Sequence, residues 1–94
     1  MDKTLQKLKK VLKQEFPSAA FDLKRDWYPS KIGGFIIWRG FNGKEFADRQ
    51  ERVWKVIRQA MSKEEQEELA TFWTLNPIEQ KVRLESLELD RKLG

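Results

Sequence analysis

Cysteine and histidine are both missing from the 94 residues. Their absence excludes disulfides, thiol nucleophiles, the usual zinc sites, iron–sulfur ligation by those side chains and histidine acid–base catalysis. Carboxylate, lysine, serine or tyrosine chemistry is all that remains. Long apolar runs are missing too: the longest, Phe35 to Trp38, is four residues and reads as no bilayer span. The opening MDKTLQKLKK lacks the apolar stretch of a secretory signal, which implies a cytoplasmic protein.

What is present describes one folded domain over residues 1–94. Apolar residues make up 39% and charged residues 36%, too much apolar content for a disordered chain. The net charge of +4 is unevenly divided, because residues 1–44 carry ten Lys/Arg against four Asp/Glu and residues 45–94 carry nine against eleven. A basic front half is suited to an acidic partner, nucleic acid included. The competing reading is a lysine-rich solvated surface.

Leu5, Leu8, Leu12 and Phe16 recur at helical steps, so the first helix is expected from Thr4 to Phe16, closed by Pro17. Lys3, Lys7, Lys10 and Gln14 take its opposite face, either as a phosphate-tracking row or as a solvated face. Alternation at Phe21, Leu23 and Arg25 predicts a strand, followed by a loop from Trp27 to Lys31. Gly33-Gly34 is read as the opening of a second strand, Phe35 to Phe41, which ends in the Asn42-Gly43 turn.

The second helix covers Glu45 to Met61. Its expected stripe is Phe46, Val53, Trp54, Ile57, Ala60 and Met61, and Gln50 projects into the middle of it. An uncharged amide there calls for a hydrogen-bond partner or exposure at the helix start. Ser62-Lys63-Glu64-Glu65 has the form of a capping box opening a short third helix to Leu69. Thr71 to Leu75 is the third strand. Asn76-Pro77-Ile78-Glu79 then starts a last helix that runs to Lys92.

The expected fold is α+β, a three-stranded sheet with helices on one face, in the order α-β-β-α-α-β plus a C-terminal helix. The other face of the sheet then becomes a candidate binding surface. Ile36 and Trp38 alternate with Phe35, Ile37 and Phe41, so one of these sets faces away from the helices, joined by Phe72 or Trp73. An open aromatic face suits unpaired bases or a protein partner. The last helix is apolar on two sides, with Ile78, Val82, Leu89 and Leu93 on one and Leu84 and Leu87 on the other. The first stripe is expected to cover the sheet, and the second is left for a partner or a second copy.

The element order is that of type II KH-like folds. Phe41-Asn42-Gly43-Lys44, with Arg49 and Val53 at fixed steps beyond, resembles the BolA family signature Phe-x-Gly-Lys-x-x-x-x-Arg-His-x-x-Val. Leu75 to Glu79 is similar to that family's closing strand and helix start. The resemblance spans most of residues 1–80, is ungapped from Phe41 to Val53, and needs extra residues around Ser62 to Glu65. It implies a small non-enzymatic regulator, linked to DNA-binding transcriptional control and to iron–sulfur handling with monothiol glutaredoxins.

The metal chemistry does not carry over. Gln50 stands where relatives hold the helix-start histidine, and a second histidine position falls near Glu68. The loop Trp27 to Lys31 holds no Cys or His. No cofactor and no cluster shared with a glutaredoxin are therefore expected. Nor does Gln59 to Glu64 contain the Gly-x-x-Gly clamp of a KH domain, and the glutamates of the third helix would repel phosphates.

Two partner classes stay open. Nucleic acid would use Lys3, Lys7, Lys10, Lys31, Lys44 and Arg49. A protein partner or homodimer would use Ile36, Trp38, Trp73, Leu84 and Leu87. Catalysis is not expected, since Asp22, Asp26, Tyr28 and Ser30 lack an acid–base partner or a pocket.

Overall fold

The computed structural model describes residues 2–93. It contains α1 (Lys3–Glu15), β1 (Ala20–Tyr28), β2 (Lys31–Ile37), a 3-10 turn at Arg39–Phe41, α2 (Phe46–Ala60), α3 (Lys63–Glu67), β3 (Leu69–Leu75) and α4 (Pro77–Leu93). The sheet order is β1-β2-β3, with β1 and β2 antiparallel and β2 and β3 parallel. The α+β architecture and the order of elements are as the sequence implies. No helix among the described residues is long and apolar enough to cross a membrane.

Helix α1 begins at Asp2, whose carboxylate accepts from Leu5 N, and ends where Phe16 N donates to Leu12 O, one residue before Pro17. It buries Leu8 and Leu12 against Val53 and Ile57 of α2 and against Leu23, Ile32, Ile36 and Phe72 of the sheet. The capping box at Ser62 and Glu65 is complete in both directions. It sets the tight break between α2 and α3.

The strands differ from the sequence expectation at their ends. β1 runs on through Trp27 and Tyr28, and β2 starts at Lys31, so the expected five-residue loop shrinks to a turn at Pro29-Ser30. Asp26 and Ser30 take left-handed φ values of 67° and 65°, and Asp26 Oδ1 accepts from Ser30 N. Gly33 and Gly34 lie inside β2 rather than before it. Side chains do not fit there: a methyl group at Gly33 would stand 2.5 Å from the Trp27 ring, and one at Gly34 1.9 Å from Asp22 O. At the other end β2 stops at Ile37, and residues 39–41 turn back as a 3-10 helix that buries Phe41.

The two faces of the sheet are thereby fixed. Ile36 belongs to the core, fully buried with Ile32 under the helices, which corrects its expected place on an open face. Trp38 is corrected too. Lying past the end of β2, it packs at the rim of the helical layer, 4.8 Å from Phe16 and 5.2 Å from Phe41, and its indole N–H donates to Ser18 Oγ. The far face carries Trp27, Phe35 and Ile37, with Trp73 beside Phe35 in the register. Of the three sheet residues expected there, only Trp73 is in place.

Helix α4 crosses this far face in an unexpected orientation. Arg83, not Val82, meets the sheet, its guanidinium 3.9 Å from the centre of the Phe35 ring. Ile78, Val82 and Leu89 point outward and are 71%, 56% and 56% exposed. Leu84 and Leu87 share the Arg83 side by helical spacing and stay half-exposed. No α4 residue is buried among those described, so cation–π and capping contacts rather than a packed stripe hold the helix.

Candidate nucleic-acid interface

The outer side of α1 forms a shallow groove of about 600 Å³ lined by Lys3, Lys7, Lys10, Gln6, Gln14 and Val11. Leu8 and Leu12 bury the opposite side of the helix, so its spacing delivers these polar groups to solvent as one row. Three of the six cations expected to meet nucleic acid are brought together here. Lys7 is partly engaged, its Nζ 2.9 Å from Glu65 Oε1. The Ser62 backbone N–H, more than Lys7, holds the Glu65 carboxyl below the usual carboxylate range.

A charge network pins the start of the same helix. Arg25 on β1 donates through Nε and Nη2 to both Asp2 oxygens at 2.8 and 2.9 Å, and through Nη2 to Glu68 at 2.8 Å. Thr4 Oγ1 donates to Glu68 Oε2 at 2.7 Å. The Arg25 hydrogen bonds, reinforced by Leu5 N–H, depress the Asp2 carboxyl to about 2. Thr4 first and then Arg25 lower that of Glu68. Glu68, near the family's second histidine position, thus ties α1 to β1.

Lys31 and Lys44 stand apart from the α1 row. Lys31 Nζ donates to Glu67 O, on the α3 side of the hairpin. Lys44 lines a separate cleft at the start of α2.

Arg49 is corrected more strongly. It is 8% exposed, and its guanidinium donates to Lys44 O at 2.9 Å, Thr74 O at 3.0 Å and Glu79 Oε1 at 2.6 Å. These bonds tie the entry to α2, the end of β3 and the first turn of α4. Largely buried, with Nε and Nη1 spent on neighbours, Arg49 is a clamp and does not join the α1 row.

Gln50 has a matching role. Its Nε2 donates to Phe72 O at 2.7 Å and lies 3.3 Å from Thr74 Oγ1. β3 is the last strand of the sheet, so carbonyls on its outer edge have no ladder partner. Gln50 and Arg49 supply the missing donors at Phe72 and Thr74. A leucine at position 50 would fill the stripe and leave a carbonyl orphaned.

The residues present do not fit the metal chemistry of the resemblance. Gln50 is committed to the β3 edge and Glu68 to Arg25 and Thr4, and the turn after β1 offers no Cys or His.

The cleft at the start of α2 was not visible in the sequence as a unit. It holds about 200 Å³ and is lined by Trp38, Phe41, Lys44, Asp48, Arg49 and Arg52, with Gly40. Lys44, Asp48 and Arg52 are spaced four apart, which is a one-face pattern. The missing part of the signal was Trp38, which the strand reading had assigned to the sheet.

Comparison with solved structures identifies the fold. BolA1 from Arabidopsis thaliana superposes with a TM-score of 0.59 at 15% identity, covering 81% of this chain and 92% of that one. The BolA domain of SufE1 from Arabidopsis thaliana gives 0.65 at 15% identity, over 84% and 98%. A bol-like protein from Babesia bovis gives 0.60 at 18% identity, over 84% and 91%. No protein-family model and no curated protein matches the sequence. The chain has the BolA-like fold.

Proposed function

We propose that this BolA-like fold serves as a non-catalytic binding module that holds a nucleic-acid backbone along the outer side of α1. The reading rests on the groove in which Lys3, Lys7 and Lys10 stand in one row with Gln6 and Gln14 beside them. Ammonium groups at helical steps track phosphates without reading bases, so affinity is sequence-tolerant and salt-dependent. The absence of a histidine or cysteine nucleophile and base supports a binding role. No metal cluster shared with a glutaredoxin belongs to this reading, because Gln50 and Glu68 are otherwise engaged.

Fluorescence anisotropy with single- and double-stranded oligonucleotides tests it. The double variant Lys3→Glu, Lys10→Glu is expected to bind about tenfold more weakly, with the slope of log affinity on log salt reduced by about two. Unchanged binding in the variant, or binding insensitive to salt, would refute the reading. Lys7 is a poorer probe because its loss also frees Glu65.

The outward stripe of Ile78, Val82 and Leu89 favours a second reading, association through α4 with a second copy. Its mark is a concentration-dependent mass in sedimentation that Val82→Glu abolishes. A monomer at millimolar concentration would dismiss it.

A further inference from the structure

We propose that the cleft between the 3-10 turn and the first turns of α2 is a binding site for a phosphate monoester. This site is separate from the α1 groove, and the two share no lining residue.

Three cationic groups converge on the cleft. Arg49 spends Nε and Nη1 on Lys44 O, Thr74 O and Glu79, and its Nη2 has no hydrogen-bond partner among the described residues. No buried side-chain nitrogen in that set lacks a partner, so Nη2 is reached by solvent, and Arg49 is one of the residues lining the cleft. Lys44 Nζ makes no hydrogen bond or ion pair there either. Arg52 lies against two rings and makes a long ion pair with Glu15. Its guanidinium is 5.7 Å from the centre of Phe16 and 5.6 Å from that of Trp38, and Glu15 is 3.9 Å away.

The ring contacts orient the Arg52 cation, and the exposed Glu15 pair at 3.9 Å offsets its charge only in part. Asp48 is the one carboxylate of the lining, and Glu79 meets Arg49 through Nη1 from outside it. The Arg49 guanidinium is also held in a fixed plane by its three bonds, so its free nitrogen is presented at no further entropic cost. A site built on one preorganised donor and two flanking cations suits an anion better than a neutral ligand.

The number of donors selects among anions. A phosphate monoester offers three unesterified oxygens, one for each of Lys44 Nζ, Arg49 Nη2 and Arg52. A carboxylate or a phosphodiester offers two. The apolar floor of Trp38 and Phe41 keeps the local dielectric low, which strengthens each contact. A volume of about 200 Å³ accepts the phosphate and a few attached atoms, and no duplex enters it. Such a monoester comes either from a free phosphorylated small molecule or from the 5′ end of a strand.

The test is a nitrogen-15 NMR titration of the whole chain at constant ionic strength, with inorganic phosphate, glycerol 3-phosphate, a 5′-phosphorylated dinucleotide and its 5′-hydroxyl counterpart. Saturable shifts are expected at the Trp38 indole N–H and at the Lys44 and Asp48 amides. The double variant Lys44→Gln, Arg52→Gln should weaken phosphate binding at least tenfold while keeping a dispersed spectrum, since both side chains lie at the surface. Lys3→Glu, Lys10→Glu should leave it unchanged, which separates this site from the nucleic-acid reading.

Phosphorylated dinucleotide binding tenfold tighter than glycerol 3-phosphate supports the site with a strand end as ligand. Equal binding supports it with a free phosphate ester. Shifts that fail to saturate, shifts confined to α1, equal binding of the hydroxyl dinucleotide, or full affinity in the Lys44/Arg52 variant would each overturn the proposal.

Discussion

Replacing Arg49 by alanine is expected to cost about 3 kcal/mol of stability and to lower Tm by ~15 °C. Arg49 is 8% exposed, and its guanidinium serves three separate acceptors, Lys44 O, Thr74 O and Glu79. Its removal orphans two backbone carbonyls and leaves the Glu79 carboxylate without its cation. Glu79 is partly solvated, which keeps the cost at the lower end for a broken buried pair.

Arg49→Lys should recover part of the loss, because one ammonium cannot span three acceptors in a plane. Hydrogen exchange should quicken first in α4, whose entry turn the clamp holds. Urea denaturation showing less than ~1 kcal/mol would contradict the role.

The same pair carries a pH dependence. The Asn76 backbone N–H, with Arg49 behind it, lowers the Glu79 carboxyl below its usual range. A depressed carboxylate contributes stability that is present above its unfolded value and is lost as pH falls through the folded one. The difference between wild type and Arg49→Ala should therefore narrow on acidification below about pH 4.

Gly34→Ala is expected to be at least as damaging, with about 4 kcal/mol lost. Position 34 sits in the middle of β2 at φ 142°, where a side chain is strained. The added methyl group would stand 1.9 Å from Asp22 O, and that atom is backbone of the paired strand and cannot rotate aside. Only parting β1 from β2 relieves the clash. For a domain of this size such a loss takes most of the native stability. Circular dichroism should show a largely unfolded variant at 25 °C, and a cooperative transition near the wild-type midpoint would contradict the placement of Gly34.

These two positions also mark what the sequence makes legible and what it does not. Local signals were readable: the leucine steps of α1, the Ser62 to Glu65 box and the Asn76-Pro77 start of α4 all carry their information within one helical turn. Gly33-Gly34 misled because a glycine pair resembles punctuation, whereas here it makes room for Trp27 and Asp22 on the neighbouring strand. Arg49 and Gln50 each have a partner more than twenty residues away on the β3 edge, whose exposure only the topology determines. The spacing of α4 revealed two apolar sides without telling which one meets the sheet, and the deciding contact is Arg83 on Phe35. Among the candidate site residues, the α1 row emerged from periodicity alone. The cleft required Trp38 and Arg52 to be brought together by the 3-10 turn.

The donors that Arg49 and Gln50 send to Phe72 and Thr74 also govern how the sheet can grow. One border, at β3, is occupied by side chains of α2, while the other, at β1, has no neighbouring strand and carries Asp22, Lys24 and Asp26 along its length. Endless stacking needs two complementary free borders on every molecule, and the described residues leave one. Strand addition by a second copy would consume that border on both partners at once and stop at a closed pair. Sealing one side of a three-stranded sheet is thus a built-in protection against fibre formation.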